Sequence, residues 1–281
     1  MESYRPKNLE EILACLDRMT ENSKVIGGGT DLIIRLKMGM CRPDALCYLG
    51  HVEGLKTIVM EEERIVIGAY ATMTAIAEHP DVIRYYPALM DAAADVGSLQ
   101  IRNNGTIGGN IGNASPAGDL IPVLYLYQAV VEIMGPEGTR MAGIDQVLVR
   151  PGRTSLAYNE ASTRIFLPKP DLISSFVKLG ARKKVTIARI DIALGLRMDG
   201  GHVEEICLYA GAIAPKPVRV TEAEEYLKGR ALNETVILDA AQILSDLIMR
   251  DTPKEFDRDY KVFASRGVLL DAFKRLDRSR E

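Results

Sequence analysis

The stretch from Gly105 to Leu120 constrains the fold of this chain more than any other. Its sequence is GTIGGNIGNASPAGDL, and five of its 16 residues are glycine. Glycine lets a backbone N–H group approach a ligand closely, because no Cβ stands in the way, and it reaches positive φ at little cost. We therefore interpret the stretch as a phosphate-binding loop. A packed surface loop without a ligand is the alternative.

A second glycine cluster lies upstream, from Val25 to Leu32, with the sequence VIGGGTDL. A β-rich run leads into its three glycines, and Thr30 or Asp31 can cap a helix that follows to Met38. Strand, glycines and capped helix in this order are typical of phosphate-binding turns. The cluster alone is weak evidence, because glycine-rich turns of this kind are common. We expect the two glycine stretches to face each other across one ligand that carries phosphate.

Composition excludes several classes of function. The chain has 281 residues, 47% of them hydrophobic, which is enough for two domains. Its formal net charge of −3 argues against a sequence-independent nucleic-acid binder. The sequence contains no apolar run of about 20 residues, and the polar start MESYRPKNLEEIL is unlike a signal peptide. We therefore expect a cytoplasmic protein that binds neither nucleic acid nor membrane.

Cysteine and histidine indicate neither a metal site nor an acid–base catalytic set. Cys15, Cys41, Cys47 and Cys207 fit no common zinc or iron–sulfur spacing, and we expect them to be reduced thiols. The three histidines are scattered along the chain. We therefore predict no metal ligand and no catalytic side chain in this chain.

Periodicity predicts two regions that differ in secondary structure. The first contains two β-hairpins, one from Leu55 to Ala69 and one from Ala129 to Ala142. The sequence Pro168-Lys169-Pro170 marks a boundary. Beyond it we predict a three-stranded sheet packed on helices, with strands Ser174 to Leu179, Val185 to Met198 and Val203 to Ile213, and helices Thr221 to Lys228, Thr235 to Arg250 and Arg258 to Arg275.

The glycine motifs together resemble one protein family. Ile101-Arg-Asn-x-Gly-Thr-Ile-Gly-Gly-Asn110, followed by Ala114-Ser-Pro-x-x-Asp119-x-x-Pro122, is similar to the FAD-binding signature of the molybdenum hydroxylase flavoprotein subunits. These are the medium subunits of aerobic carbon monoxide dehydrogenase, xanthine dehydrogenase and bacterial relatives. The upstream Ile26 to Leu32 resembles the first FAD loop of this family, and Gly211 to Pro215 resembles its C-terminal domain.

The resemblance implies the fold. We expect an α+β protein with a two-subdomain FAD-binding domain of the PCMH, or vanillyl-alcohol-oxidase-like, type in residues 1–170. Its subdomains would span about 1–55 and 56–170. A small C-terminal domain of the carbon monoxide dehydrogenase flavoprotein kind, made of a sheet and helices, would occupy 171–281.

The resemblance also implies the cofactor and the residues that hold it. Val25 to Leu32 would wrap the FAD pyrophosphate, Thr106 to Asn110 would close on it, and Asp119 would bind the polar flavin chain. FAD would be noncovalent, since no histidine lies beside the first loop. Arg164 stands where relatives commonly carry Glu. The expected FAD contacts are Val25, Ile26, Gly27, Gly28, Gly29, Thr30, Asp31, Leu32, Val96, Thr106, Ile107, Gly108, Gly109, Asn110, Ser115, Asp119, Ala161 and Lys178.

The function that the resemblance implies is electron transfer inside a larger enzyme. A large subunit with the molybdenum cofactor would act on the substrate, and a small iron–sulfur subunit would exchange electrons with the FAD held here. NAD or another acceptor would complete the path, in a dimer of heterotrimers. Two alternatives are a stand-alone flavin-dependent oxidase or dehydrogenase, and a nucleotide-binding module without catalysis.

Overall fold

The computed structural model describes residues 1–254 and 257–278, in which helices and strands are mixed as the predicted α+β class requires. The strands are β1 Glu2–Tyr4, β2 Lys24–Ile26, β3 Ala45–Tyr48, β4 Ile58–Met60, β5 Arg64–Gly68, β6 Val130–Gly135, β7 Gly138–Gly143, β8 Leu148–Arg150, β9 Arg153–Thr154, β10 Ala161–Pro168, β11 Ile173–Gly180, β12 Ala188–Asp199, β13 His202–Gly211 and β14 Val218–Arg219. The α-helices are α1 Leu9–Leu16, α2 Leu32–Lys37, α3 Met73–Glu78, α4 Pro80–Tyr85, α5 Pro87–Asp95, α6 Leu99–Arg102, α7 Ile107–Asn113, α8 Leu120–Leu126, α9 Ile144–Val147, α10 Thr221–Leu227, α11 Glu234–Asp251 and α12 Arg258–Arg278.

The chain forms two compact units, and each unit is built from three separate segments. Unit 1 contains Met1–Ile76, Ser98–Ser115 and Gln128–Lys169. Unit 2 contains Ala77–Gly97, Pro116–Tyr127 and Pro170–Glu281. The domain boundaries expected from the sequence stay predictions. None of the helices in the described ranges is long and apolar enough to cross a membrane.

Unit 1 begins with a small parallel sheet in the order β1-β3-β2. Asn8 caps α1, because its side chain accepts a hydrogen bond from the Glu11 N–H at 2.9 Å. The buried face of α1 packs with Cys47 of β3 in one apolar core that contains Ile12 and Leu16. Since β2 pairs with β3 at Val25 and Cys47, this core fixes the strand that leads into the first glycine cluster.

The second sheet of unit 1 has five antiparallel strands in the order β4-β5-β10-β6-β7. Both predicted hairpins are present, β4 with β5 and β6 with β7. β10 lies between them and pairs with β5 and β6. Alternate residues of β10 are buried, so this strand places one face in the core of unit 1.

Unit 2 contains an antiparallel sheet in the order β11-β12-β13-β14. The prediction of three strands was wrong, because the sheet has a fourth, β14. This edge strand is only two residues long, too short for hydrophobic periodicity to reveal. A turn from Asp199 to Gly201 joins β12 to β13, and its two glycines have φ of +52° and +83°. Helices α10, α11 and α12 supply the other side of the core.

Candidate functional site

The first glycine cluster is a run of backbone donors without acceptors. It follows β2 directly, and Gly29 has a φ of +72°, a conformation that L side chains rarely adopt. Within the described residues, none of the backbone N–H groups from Gly27 to Leu32 donates a hydrogen bond to the chain. Asp31 stands at the N-cap of α2 but makes no capping bond with its side chain. Six successive N–H groups are therefore available to an anionic ligand.

The second glycine stretch is a helix over part of its length. The interpretation as a loop was wrong for Ile107–Asn113, which forms α7. Thr106 caps this helix, because its Oγ1 accepts a hydrogen bond from the Gly109 N–H at 3.1 Å. The helix ends at Ala114, whose φ of 46° is left-handed.

Most backbone donors from Thr106 to Asn110 are already used inside the chain. The N–H of Ile107 donates to the Ala71 carbonyl at 3.1 Å, and the N–H of Gly108 donates to the Ala69 carbonyl at 2.9 Å. The N–H of Asn110 donates to the Thr106 carbonyl at 2.9 Å. The expectation that Gly108 and Gly109 offer free backbone donors was therefore wrong, since the Gly109 N–H also donates to the Thr106 Oγ1.

The two glycine stretches lie against each other in unit 1, as the sequence predicts. A Cβ on Gly28 would stand 1.6 Å from the Asn104 carbonyl oxygen, and one on Gly27 would stand 2.6 Å from the Thr106 Oγ1. A Cβ atom in a protein essentially never lies within 3.0 Å of a heavy atom to which it is not bonded. Gly28 is thus required by the approach of one backbone to the other, and Gly27 by the approach of the Thr106 side chain.

Asn110 and Gly109 of the second stretch both indicate where a ligand could bind. The Asn110 Oδ1 is buried and accepts no hydrogen bond within the described residues. A buried acceptor without a donor is costly, so it marks a place where a ligand or water donates. Gly109 is exposed, and a Cβ there would meet only the Thr106 Oγ1, at 2.9 Å.

A buried ion pair lies in unit 2. The Lys178 Nζ donates to the Asp119 Oδ2 at 2.6 Å and to the Asp95 carbonyl at 2.5 Å. The Lys178 and Asp119 side chains are only 5% and 9% exposed. Burial raises the pKa of Asp119 to about 6, and this effect outweighs the attraction of the Lys178 ammonium, which lowers it.

Asp191 lies beside this pair and was not predicted. It is opposite Lys178 in the β11–β12 register, and both of its carboxyl oxygens are buried without a hydrogen-bond partner in the described part of the chain. Burial, and secondarily the Asp119 charge, raise the pKa of Asp191 well above its usual range. The available signal was an acidic residue between Ile190 and Ile192, inside an apolar strand.

The remaining predicted contacts divide between the two units. Ala161 is a buried residue of β10 and packs in the core that contains Cys47, so its backbone alone is available to a ligand. Val96 is half-buried at the C-cap of α5. Unit 1 therefore holds the residues from Val25 to Leu32, from Thr106 to Asn110, Ser115 and Ala161, whereas unit 2 holds Val96, Asp119 and Lys178.

Arg164 of β10 pairs with an acidic residue on the neighbouring strand. It is opposite Glu132 of β6, and its Nη1 lies 3.6 Å from the Glu132 Oε2. The Thr163 hydroxyl also donates to the Glu132 Oε1 at 2.6 Å. Because the Arg164 side chain is 45% exposed, the ion pair is screened by solvent.

We expect Arg164→Glu to lower the free energy of unfolding by up to about 1 kcal/mol, because it places two carboxylates opposite each other on adjacent strands. Urea unfolding at pH 7 measures the change. Arg164→Ala is the matched control and should cost less, since it removes the attraction without adding repulsion. A Glu variant as stable as the parent chain would contradict the pairing.

Comparisons with known proteins identify the family. Residues 1–170 match the FAD binding domain in molybdopterin dehydrogenase, and residues 175–276 match the CO dehydrogenase flavoprotein C-terminal domain. The nicotinate dehydrogenase FAD-subunit of Eubacterium barkeri is 34% identical over 282 aligned positions, which cover 97% of this chain and 94% of that protein.

Solved structures show the same relationship. A chain of carbon monoxide dehydrogenase from Hydrogenophaga pseudoflava superposes with a TM-score of 0.89 at 27% identity, covering 99% of this chain and 98% of that one. A chain of quinoline 2-oxidoreductase from Pseudomonas putida 86 shares the fold, with a TM-score of 0.92 at 22% identity and coverage of 100% and 98%. FAD is the cofactor of the matched domain. The chain therefore belongs to the family of FAD-binding subunits of the molybdenum hydroxylases.

Proposed function

We propose that this chain is the electron-transfer subunit of a molybdenum-containing hydroxylase or dehydrogenase with several subunits. Its partners are a large subunit with the molybdenum cofactor and a small iron–sulfur subunit, assembled as a dimer of heterotrimers in the cytoplasm. When bound, FAD would be the carrier between the iron–sulfur clusters and NAD or another acceptor. Names such as FAD-subunit and medium chain among the relatives support this assignment.

The observation that carries the proposal is the run of free donors from Gly27 to Leu32 beside the second glycine stretch. Six N–H groups suit a pyrophosphate, which offers many acceptor oxygens at short range. The buried Asn110 Oδ1 suits a ligand that also donates. The residues present in unit 1 therefore fit the phosphate-bearing part of FAD.

The other predicted contacts have different tasks in this proposal. Thr106 to Asn110 limit the space next to the donors, since most of their own N–H groups are used internally. Asp119 and Lys178 are the residues that we assign to the polar flavin chain, and their mutual hydrogen bond fixes both side chains. No side chain is required as an acid, a base or a nucleophile. FAD is held without a covalent bond.

A visible absorbance spectrum tests the cofactor directly. The purified chain should show flavin bands, release FAD on acid precipitation and contain about one FAD per chain, as one site requires. A preparation without flavin that also fails to take up FAD on reconstitution would overturn the proposal.

Gly109→Leu should weaken FAD binding by at least about 100-fold, because a bulky side chain on this exposed residue would occupy the space that we assign to the cofactor. Gly109→Ala is the matched control: its Cβ meets the same Thr106 Oγ1, but the added volume is one methyl group. We expect Ala to lose less than a tenth of that factor. FAD titration followed by flavin fluorescence measures both, and circular dichroism verifies the fold. A folded Leu variant with one FAD per chain would refute the placement.

A further inference from the structure

Helix α2 and the turn after it form an exposed apolar surface. The sequence from Leu32 to Met40 is LIIRLKMGM, yet no residue of α2 is buried. The Ile34, Met38 and Met40 side chains are 49%, 70% and 66% exposed. Single exposed apolar residues are normal, whereas a contiguous group marks a surface that another molecule covers.

Backbone hydrogen bonds hold this surface in a fixed shape. Gly39 has a φ of +67°, its N–H donates to the Leu36 carbonyl at 3.0 Å, and the Met40 N–H donates to the Arg35 carbonyl at 2.9 Å. This pattern closes the helix and returns Met40 toward its last turn. The apolar side chains thus belong to one preformed patch, which lowers the entropic cost of binding a partner.

The patch has a basic rim. Arg35 lies 3.9 Å from Asp31, but Lys37 and Arg42 form no ion pair within the described residues. An apolar centre rich in methionine with charges at the rim is the usual composition of a protein interface. Charge complementarity therefore calls for a partner with acidic residues around an apolar centre.

The position of the patch selects the partner. α2 begins at Leu32, which is the last residue of the run of free donors, so a molecule seated on α2 lies next to the loop that holds the cofactor. A subunit that exchanges electrons with FAD must dock beside the site that holds it. We infer that Leu32 to Arg42 form the docking surface for the iron–sulfur subunit, through an apolar and acidic face of that subunit; the inference rests on the proposed function.

The test uses the FAD-loaded chain and the iron–sulfur subunit of its own organism. Ile34→Asp together with Met38→Asp should weaken their association by at least about 30-fold, since charges replace the centre of the interface. Met141→Asp is the matched control, because Met141 is 51% exposed in unit 1 and lies outside the patch. It should bind within about threefold of the parent chain. Isothermal titration measures affinity, and absorbance measures the FAD content.

A second variant avoids any disturbance of the apolar residues. Lys37→Glu together with Arg42→Glu should weaken association at least about tenfold at low salt, and less at high salt, because rim charges are screened. A parent chain that carries FAD but does not bind the iron–sulfur subunit would overturn the proposed function itself. Unchanged binding by both double variants would overturn the docking surface alone. Loss of a homodimer, with iron–sulfur binding retained, would also overturn it.

Discussion

Gly28→Ala is expected to weaken FAD binding by at least about 100-fold and to lower the free energy of unfolding by about 3 kcal/mol. The added methyl group would stand 1.6 Å from the Asn104 carbonyl oxygen and 2.5 Å from its carbon. Both are backbone atoms, so no rotamer change relieves the overlap and the two glycine stretches must separate. Gly28 lies within the run of free donors, so this separation also moves the groups that would hold the phosphates.

Urea unfolding and FAD titration of the same preparation measure the two effects. Gly54→Ala is a suitable control, because a Cβ at Gly54 has no neighbour within 4 Å and the residue is exposed. It should change the free energy of unfolding by less than about 0.5 kcal/mol. If Gly28→Ala retained both the stability and the FAD affinity of the parent chain, the two stretches could not be in backbone contact.

Gly28 of the first glycine stretch and Gly109 of the second have different roles. A Cβ on Gly28 would overlap backbone atoms, whereas Gly109 is exposed and a Cβ there would meet only the Thr106 Oγ1. The sequence predicted that the two stretches meet, because both are rich in the residue that permits close approach. It did not distinguish these roles, since they depend on which atoms lie opposite each glycine.

Helix α7 shows why local pattern failed in the second stretch. Each glycine inside a helix costs about 1 kcal/mol relative to alanine, so the sequence IGGNIGN opposes a helix. The Thr106 cap and the bonds to the Ala69 and Ala71 carbonyls compensate. Those carbonyls are more than 30 residues away in sequence, and only the folded chain reveals them.

Asp191 shows a second limit of prediction from the sequence. The strand that contains it was predicted, as was Lys178 on the preceding strand. That the two residues stand opposite each other depends on the register of β11 and β12, which a shift of one residue would change completely. The contribution of Ala77–Gly97 and Pro116–Tyr127 to unit 2 is likewise a long-range feature that no local pattern contains.

Lys178→Met is expected to lower the free energy of unfolding by about 3 to 5 kcal/mol at pH 8. Methionine keeps the apolar stem of lysine but removes the ammonium group that donates to Asp119 at 2.6 Å. The Asp119 carboxylate is then buried without a counter-charge, next to Asp95 and Asp191. The Asp95 carbonyl also loses its donor.

This loss should shrink in acid, and the sign follows from the pKa of Asp119. Burial holds the folded-state pKa near 6, above the ordinary 3.8, so folding favours the protonated carboxyl. The resulting stabilisation is complete below the unfolded pKa and is lost as pH rises through the folded pKa. Without Lys178 the folded pKa rises further, and the carboxyl already holds a proton at pH 5.

The deficit of Lys178→Met relative to the parent chain should therefore be smaller at pH 5 than at pH 8, by more than about 1 kcal/mol, since each pKa unit corresponds to about 1.4 kcal/mol. Urea unfolding of both chains at the two pH values measures it. Adding Asp119→Asn to the Met variant removes the Asp119 charge, so the double variant should regain stability at pH 8 and show a smaller pH dependence, with Asp191 as the remaining carboxyl that faces position 178. An equal deficit at both pH values would mean that the Asp119 carboxylate is not the group that Lys178 stabilises.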